Sequence, residues 1–362
     1  MVRRILLVFV TILLASCSQQ DASDDLLSYY KGTTSVVLKP GDTIELEQYG
    51  ILLPTGIIRY SDSYIIKKGL SENYLDILTL ERNVIHCVKR GQGPGELIDI
   101  GSIQMEGDTL FVYGPSQRKL LVLDIPSTIK FQKQITLEEY HVGSPDPKVS
   151  DQMVIPVNLK QANGHFYGLG MFGDGSLYAE LSREGTIVSG IPGPDLDEER
   201  LSSLDRVSLN MDAVMSISPD GSRIAVAYSQ IAAISFGCTK PALTELWSRV
   251  FYQPKLWFSS HAGLMVSYEK ENRVTFQDMQ AFNDAVYILY SGKNRVNDSE
   301  NSATHSNHLL VFCWDGAPLR QYELEESIVG FWIEEDTLYG ISFTPAPKLY
   351  QFKQPDSVIL TK

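Results

Sequence analysis

Short runs of apolar residues, separated by turn residues, recur along almost the whole chain. Clear examples are Ser63–Lys67, Thr109–Tyr113 and Arg223–Tyr228, each with Asp, Gly or Ser close to both ends. Runs of this length, apolar throughout or in alternation, predict β-strands. Helical periodicity is scarce, and its best candidate is Asp195–Asp205, a short surface helix or loop. Many strands without intervening helices predict an all-β fold.

The predicted strands group into units of three or four around tight turns. The pairs Gly107-Asp108, Asp220-Gly221, Asn283-Asp284 and Glu335-Asp336 each follow the first strand of a unit. Four-stranded units repeated around an axis are typical of propeller blades. Residues 32–362 divide into six units of about 55 residues, which fits the turn spacing better than eight units of about 41.

We therefore predict one six-bladed β-propeller over residues 32–362. An N-terminal strand, Thr34–Leu38, is expected to pair into the last blade and close the ring, so that no sheet edge is left open. A pair of β-sandwiches is the alternative fold. The expected blades span residues 55–98, 99–140, 152–190, 208–262, 270–325 and 326–354.

The N-terminus has the pattern of a secretory signal. Arg3 and Arg4 precede the apolar run Ile5–Leu14, which is too short to span a bilayer. The following Leu14-Ala15-Ser16-Cys17 resembles the bacterial lipobox, which implies that residues 1–16 are removed and that Cys17 carries the lipid. Several acyl chains make a stable membrane anchor. An ordinary signal peptide with a chance cysteine is the alternative.

The residues after Cys17 indicate where the anchored protein would lie. Residues 17–31 begin with a polar and acidic run and are predicted to form a flexible, acylated tether. Ser18 favours the outer membrane over retention at the inner one, and the acidic run loosely resembles the surface-export signals of some Bacteroidetes lipoproteins. We expect a cell-envelope protein at the outer membrane, on its periplasmic face or at the cell surface.

Charge and cysteine content narrow the partners. The formal net charge is -13, and loss of Arg3 and Arg4 would make it -15. No basic cluster suits a phosphate backbone, so nucleic acid is not an expected partner. The cysteines beyond Cys17 are odd in number and form no C-x-x-C motif, which predicts buried free thiols rather than a redox or zinc site. They are Cys87, Cys238 and Cys313.

Two motifs carry a family resemblance. The segment Arg90–Leu97 (RGQGPGEL) resembles the G-x-G-P-G-E segment of TolB-like six-bladed propeller lipoproteins of Bacteroidetes. The segment Ser218–Ala225 (SPDGSRIA) resembles a hairpin of TolB-type and WD-type blades. The resemblance implies a six-bladed propeller over nearly the whole chain. It implies no catalytic residue.

The first of these motifs is interpreted as a structural loop between the first two blades. Gly91, Gly93 and Gly95 permit positive φ or close backbone approach, and Pro94 fixes φ. Glu96 is placed to accept backbone N–H bonds within the loop. A ligand-binding loop is the alternative interpretation.

An aromatic cluster within Leu246–Phe258 is the candidate binding surface. Trp247, Arg249, Phe251, Tyr252 and Trp257 lie close together in sequence there. Aromatic residues beside an arginine are typical of binding hot spots, which suggests a ridge that binds protein or glycan. Packing between blades four and five is the structural alternative.

Enzyme motifs are absent from the sequence, so no catalytic residue, metal site or cofactor is predicted. The close pair His305 and His308 is assigned to a solvated loop rather than to a metal site. We predict a membrane-anchored, non-catalytic scaffold that binds a protein, a peptide or a glycan. The alternative is a propeller hydrolase or lyase with a metal site in its central channel, formed by residues from several blades.

Overall fold

The fold is described from a computed structural model of the chain. The described residues are 25–142, 154–194, 198–199, 201–202, 205–206, 209, 211–259, 265–294, 296 and 303–353.

Six four-stranded antiparallel units, formed by the described residues, make up a six-bladed propeller as predicted. Blades 1 to 3 follow one another along the chain, and each runs from its innermost to its outermost strand. Blade 1 is β3 (Pro54–Tyr60), β4 (Ser63–Lys68), β5 (Asn73–Leu78) and β6 (Val84–Lys89). Blade 2 is β7 (Ser102–Glu106), β8 (Thr109–Gly114), β9 (Lys119–Asp124) and β10 (Thr136–His141). Blade 3 is β11 (Val154–Ala162), β12 (His165–Phe172), β13 (Ser176–Leu181) and β14 (Ile187–Pro192).

Blades 4 to 6 complete the ring, and the last two take strands from the N-terminus. Blade 4 is β15 (Ala213–Ile217), β16 (Arg223–Tyr228), β17 (Ala232–Cys238) and β18 (Thr244–Tyr252). Blade 5 is β21 (Arg273–Ala281), β22 (Ala285–Asn294), β23 (Ser306–Cys313) and β24 (Pro318–Ile328), with β1 (Thr34–Leu38) as a fifth strand. Blade 6 is β25 (Gly330–Glu334), β26 (Thr337–Ser342), β27 (Lys348–Lys353) and β2 (Pro40–Glu45).

The remaining elements lie between or beside the blades. A hairpin of β19 (Leu256–Ser259) and β20 (Met265–Tyr268) separates blades 4 and 5 in the sequence. Helix α1 (Asp25–Tyr29) begins the described chain, and a 3-10 turn covers Glu47–Tyr49. Helix α2 (Ile125–Phe131) lies between β9 and β10 and was missed by the sequence analysis. In the described part of the chain, no helix is long and apolar enough to cross a bilayer.

An N-terminal strand closes the ring, but it is not the one predicted. The assignment of Thr34–Leu38 to the last blade was wrong: β1 runs parallel to β24 of blade 5. The closing strand is β2, which pairs antiparallel with β27. The strand β1 pairs with the outer edge of the eleven-residue β24, and β2 pairs with the outer edge of β27. The N-terminal segment therefore covers the outer edges of two successive blades.

The middle strands of the blades have continuous apolar sequences because neighbouring blades cover both of their faces. The third strand of blade 2, β9, is buried from Lys119 to Leu123, whereas β10 outside it is almost wholly exposed. A strand flanked by two blades buries both of its faces, which removes the alternation expected of a half-exposed strand. The core is therefore a ring of inter-blade layers around the channel.

The predicted tether is shorter than residues 17–31. Leu26 and Tyr30 are buried in the layer between blades 4 and 5, and the Tyr30 hydroxyl donates to the Val311 carbonyl at 2.9 Å. A flexible assignment is wrong for these residues because their apolar side chains fill that layer. Residues 17–24, including Cys17, lie outside the described residues.

Candidate functional site

The six inner strands surround a central cavity of about 760 Å³. Its wall is made mainly of residues from β3, β7, β11, β15, β21 and β25. Because every blade contributes to the wall, side chains far apart in sequence meet there. Two sets of polar side chains in the wall differ in whether their hydrogen bonds are already used.

The first set joins neighbouring blades. The Gln104 amide donates to the Gln161 carbonyl and accepts from the Gln161 N–H, both at 2.7 Å. Gln280 does the same with Ile333, at 3.1 and 2.7 Å. The inner edge of each innermost strand has no neighbouring strand to pair with. The side-chain amides of Gln104 and Gln280 pair with backbone groups there instead, which joins adjacent blades and stabilises the ring.

The second set contains three charged groups from three blades. The Lys67 ammonium donates to the Gly101 carbonyl at 3.4 Å, and the Lys160 ammonium donates to the Ile103 carbonyl at 2.8 Å. Asp278 on β21 faces the same cavity. No ion pair within 4 Å joins the described atoms of these lysines to Asp278, so the three charges interact across the cavity.

The enclosure of the cavity shifts the acid–base properties of these groups. Burial raises the pKa of Asp278 to about 6, although N–H bonds and the two lysines favour its ionised form. Burial also lowers the pKa of Lys160 to about 8, with Asp278 opposing the shift and Lys67 adding to it. The pKa of Lys67 is lowered by burial and raised in part by Asp278. Burial is the main cause of all three pKa shifts, and the opposite charges across the cavity oppose them.

Three further polar atoms of the wall have no hydrogen-bond partner. They are Asn158 Oδ1, Gln161 Oε1 and Trp332 Nε1, all shielded from solvent. Buried polar atoms are normally paired with protein, water or ligand. Because these atoms have almost no accessible surface, they are not presented to the cavity, and the unused donors that face it are those of the Lys67 and Lys160 ammonium groups.

The alternative hypothesis requires metal ligands from several blades in this cavity. Among the residues that the structure describes, no three His, Cys, Asp or Glu side chains converge. The Lys67 and Lys160 ammonium groups and the Asp278 carboxylate face the cavity, and the exposed Glu106, Glu334 and Glu335 also line it. Both oxygens of the Asp278 carboxylate already accept backbone N–H bonds, from Met279 at 2.9 Å and from Phe331 at 2.8 Å.

The aromatic cluster lies between blades 4 and 5, and the N-terminus covers part of it. Trp247 on β18 packs against Phe236 and Phe312, with ring centroids 5.3 and 6.4 Å away. It also lies so close to Gly316 that a Cβ there would come within 2.1 Å of the indole. Trp247 therefore supports the inter-blade layer, as the structural alternative requires.

The remaining members of the cluster are distributed over two elements. The Arg249 guanidinium stacks 4.5 Å from the Tyr29 ring of α1 and 4.8 Å from the Phe251 ring. The Tyr252 hydroxyl donates to Asn272 Oδ1 at 2.7 Å. Trp257 lies on the β19–β20 hairpin and is 52% exposed. The five residues thus do not form one open ridge, because Arg249 and Phe251 contact the chain's own helix.

The glycine-rich loop lies against blade 2. Glu96 Oε2 accepts from the Gly93 N–H at 2.9 Å, and the Gly95 N–H donates to Glu139 at 2.7 Å. Gly95 has φ +70°, and a Cβ at Gly91 would lie 2.1 Å from Glu96 Oε2. The loop, with Pro94 at its centre, needs glycine for backbone conformation and for space.

The histidine and cysteine assignments have mixed outcomes. The solvated-loop assignment was wrong for His305 and His308: His305 is buried with its ring 4.5 Å from that of Phe343, and His308 belongs to β23. Cys87, Cys238 and Cys313 are free thiols, but the prediction that they are buried is correct for Cys87 and wrong for the half-buried Cys238 and Cys313.

A buried charged group in blade 1 was missed by the sequence analysis. Asp76 is fully buried on β5, with the Lys68 ammonium 2.7 Å from Oδ2 and His86 Nδ1 2.7 Å from Oδ1. Lys68 is also buried, whereas His86 is 58% exposed. Asp76 faces His86 across the β5–β6 pair, so the strand register would have placed them together once the blade was known.

The architecture agrees with that of a known protein family. The family model of TolB-like 6-blade propeller-like proteins matches residues 78–336. A solved member of the DUF4221 family from Bacteroides vulgatus is 10% identical, with a TM-score of 0.54 over 87% of this chain and 97% of its own. A putative exported protein from Bacteroides fragilis is 9% identical, with a TM-score of 0.46 over 89% and 100% of the two chains. No curated protein matches the chain. Because the family model covers well over half of the sequence, the chain belongs to the TolB-like six-bladed propeller family.

Proposed function

We propose that this protein is a lipid-anchored component of the cell envelope whose propeller binds a ligand in its central cavity without catalysis. The observation that carries the proposal is the unused hydrogen-bonding capacity of the cavity wall. Lys67 and Lys160 each use one of three ammonium N–H groups in a described hydrogen bond, which leaves the others for a ligand. A largely pre-formed cavity with a few convergent polar groups is typical of small-ligand sites.

The membrane anchor is supported by the sequence and by the docking of α1. The lipobox-like Leu14–Cys17 predicts acylation of Cys17, and α1 begins at Asp25. Eight residues span at most about 28 Å when extended. An acylated Cys17 would therefore keep the edge between blades 4 and 5 close to the membrane, with the outer membrane as the expected location.

Protein, peptide or glycan remain the proposed partner classes. Of the aromatic residues in the predicted ridge, Trp257 is the one described as exposed. An exposed single tryptophan is a weaker docking surface than five clustered residues. The central cavity is therefore the better-supported binding site.

The proposal is tested by recovering the ligand with the protein. The full chain, purified in mild detergent from its own envelope, is examined by native mass spectrometry. We expect an additional bound mass in the wild type and in the surface control Lys133→Met, but not in the double variant Lys67→Met/Lys160→Met. Retention of the bound mass in the double variant, or its absence from the wild type, would overturn the proposal.

A further inference from the structure

The wall of the central cavity presents charges of both signs to the same space. The Lys67 and Lys160 ammonium groups and the Asp278 carboxylate face the cavity, and the exposed Glu106 and Glu335 also line it. No described ion pair joins either lysine to Asp278, so these charges do not satisfy one another at close range. A ligand of a single sign is attracted by one part of this wall and repelled by the rest. The wall therefore favours a ligand that carries both signs.

The charges are distributed unevenly along the axis of the propeller. Lys67 and Lys160 donate to the carbonyls of Gly101 and Ile103, at the beginning of β7, whereas Glu106 is the last residue of that strand. Ile103 and Glu106 are three residues apart, which is about 10 Å along a strand. The cavity thus has a lysine end, defined by Lys67 and Lys160, and a glutamate end that includes Glu106.

Blade 6 shows the same distribution. Because the blades are equivalent around the ring, β25 runs in the same direction as β7. Asp278 accepts from the Phe331 N–H at 2.8 Å near the beginning of β25, whereas Glu335 follows the last residue of that strand. The lysine end therefore combines two ammonium groups with one carboxylate. The described lining residues of the glutamate end include no lysine or arginine, so that end favours a cation.

The separation of the two ends selects a peptide among ligands that carry both signs. An α-amino acid holds its ammonium and carboxylate groups on one carbon atom, so it cannot reach both ends. An extended peptide advances about 3.3–3.6 Å per residue, so about three residues span 10 Å. The innermost strands β3 and β15 each have an edge without a neighbouring strand. Such edges pair with the N–H and C=O groups of an added peptide.

We infer that the central cavity binds a short peptide of about three residues, with its C-terminal carboxylate at the lysine end and its N-terminal ammonium group at the glutamate end. This inference rests on the proposed function and names the ligand class for the same cavity. Lys67 and Lys160 each keep ammonium N–H groups that their described hydrogen bonds do not use. The cavity volume of about 760 Å³ lies in the range of small-ligand sites.

Calorimetric titration of the full chain in detergent, at pH 7 and low salt, tests the inference with four probes. They are trialanine, trialanine amide, N-acetyl-trialanine and alanine. We expect trialanine to bind about tenfold or more tightly than its amide, which lacks the carboxylate. It should bind about threefold or more tightly than the N-acetyl form, whose missing ammonium group would face exposed glutamates. Alanine should bind more weakly than trialanine, because its two charges cannot reach both ends.

Two double variants assign the termini of the peptide to the two ends of the cavity. In Lys67→Met/Lys160→Met, the preference for trialanine over its amide should fall to about threefold or less, and the preference over the N-acetyl form should remain. In Glu106→Gln/Glu335→Gln, the preference over the N-acetyl form should disappear, and the preference over the amide should remain.

Matched controls carry the same substitutions outside the cavity. Lys133 and Glu81 are exposed and do not line the wall, so Lys133→Met and Glu81→Gln should change neither preference. Circular dichroism and thermal unfolding show whether each variant keeps the propeller. If a double variant unfolds, the comparison of the four probes on the wild type still decides the inference.

The contrary results separate this inference from the proposed function. Equal binding of trialanine and its two capped forms, or no binding of trialanine, overturns the peptide inference. Exchanged effects of the two double variants overturn it as well. If it fails but the native bound mass still depends on Lys67 and Lys160, the proposed cavity function stands and only the ligand class is wrong. If that mass does not depend on the lysines, both are wrong.

Discussion

Replacement of Asp76 should be among the most destabilising single changes in this protein. Asp76 is fully buried, with Lys68 Nζ and His86 Nδ1 each 2.7 Å from one carboxylate oxygen. In Asp76→Asn the side chain keeps its size but loses its charge. The Lys68 ammonium, itself only 7% exposed, is then left in the core without a counterion.

The expected cost follows from that burial. Removing one partner of a buried ion pair costs about 3–5 kcal/mol, because the other charge remains desolvated and unpaired. His86 contributes less, since 58% of its side chain is exposed and water can replace the lost contact. We therefore expect Asp76→Asn to lower the free energy of unfolding by about 3–5 kcal/mol and His86→Ala by about 1 kcal/mol or less.

Equilibrium urea unfolding, followed by tryptophan fluorescence and circular dichroism, measures the change. The matched control is Glu325→Gln, which removes the carboxylate of the exposed Lys39–Glu325 pair at 3.1 Å. That change should cost less than about 1 kcal/mol, because exposed ion pairs contribute little. The double variant Lys68→Met/Asp76→Leu removes both charges and should recover most of the stability lost in Asp76→Asn. Equal effects of Asp76→Asn and Glu325→Gln would refute the assignment of a buried charge to Asp76.

Three further changes test the site, the N-terminal docking and the anchor. Retention of the native ligand should weaken above about pH 8, where Lys160 loses its proton, and should change again below about pH 6, where Asp278 gains one. Native mass spectrometry of the full chain from pH 5 to 9 measures this, with Lys67 and the exposed Glu106, Glu334 and Glu335 as the other charged groups of the wall, and retention that does not change with pH would contradict the assignment. Tyr30→Ala removes a buried ring and its hydrogen bond to a backbone carbonyl of blade 5, so it should lower the free energy of unfolding by about 3–4 kcal/mol. Proteases should then remove the N-terminal segment faster. An unchanged rate of cleavage would show that other contacts hold this segment. Cys17→Ala should abolish acylation in the intact mass and move the protein from the detergent phase to the aqueous phase, and persistence of both properties would refute the lipobox interpretation.

Most of the fold could be predicted from the sequence because the patterns that indicate it are local. The apolar runs and acidic turns of a blade lie within about 55 residues, and the six predicted units correspond to the six observed blades. Helix α2 was missed because only one capping residue and a proline indicate it in the sequence. The Asp124 carboxylate accepts from the Ser127 N–H at 2.7 Å, and the helix is too short to show an amphipathic period. The assignment of Thr34–Leu38 was wrong because strand propensity does not specify a partner, and two free blade edges were available to two successive strands.

The candidate site could not be predicted from the sequence in the same way, because its residues meet only through the topology of the fold. Lys67, Lys160 and Asp278 are separated by about 90 and 120 residues, and none stands in a motif. Only the closure of six blades around an axis places them on one cavity, at positions that follow from register rather than from spacing. The aromatic cluster shows the converse: Trp247 and Phe251 are close in sequence and resemble a binding surface, yet Gly316 and Tyr29 cover them. In a closed ring, residues that are neighbours in sequence commonly pack in the same inter-blade layer. Residues that contact one ligand in the central cavity come from different blades. A search for function in such a chain should therefore compare equivalent inner-strand positions of different blades rather than clusters within one strand.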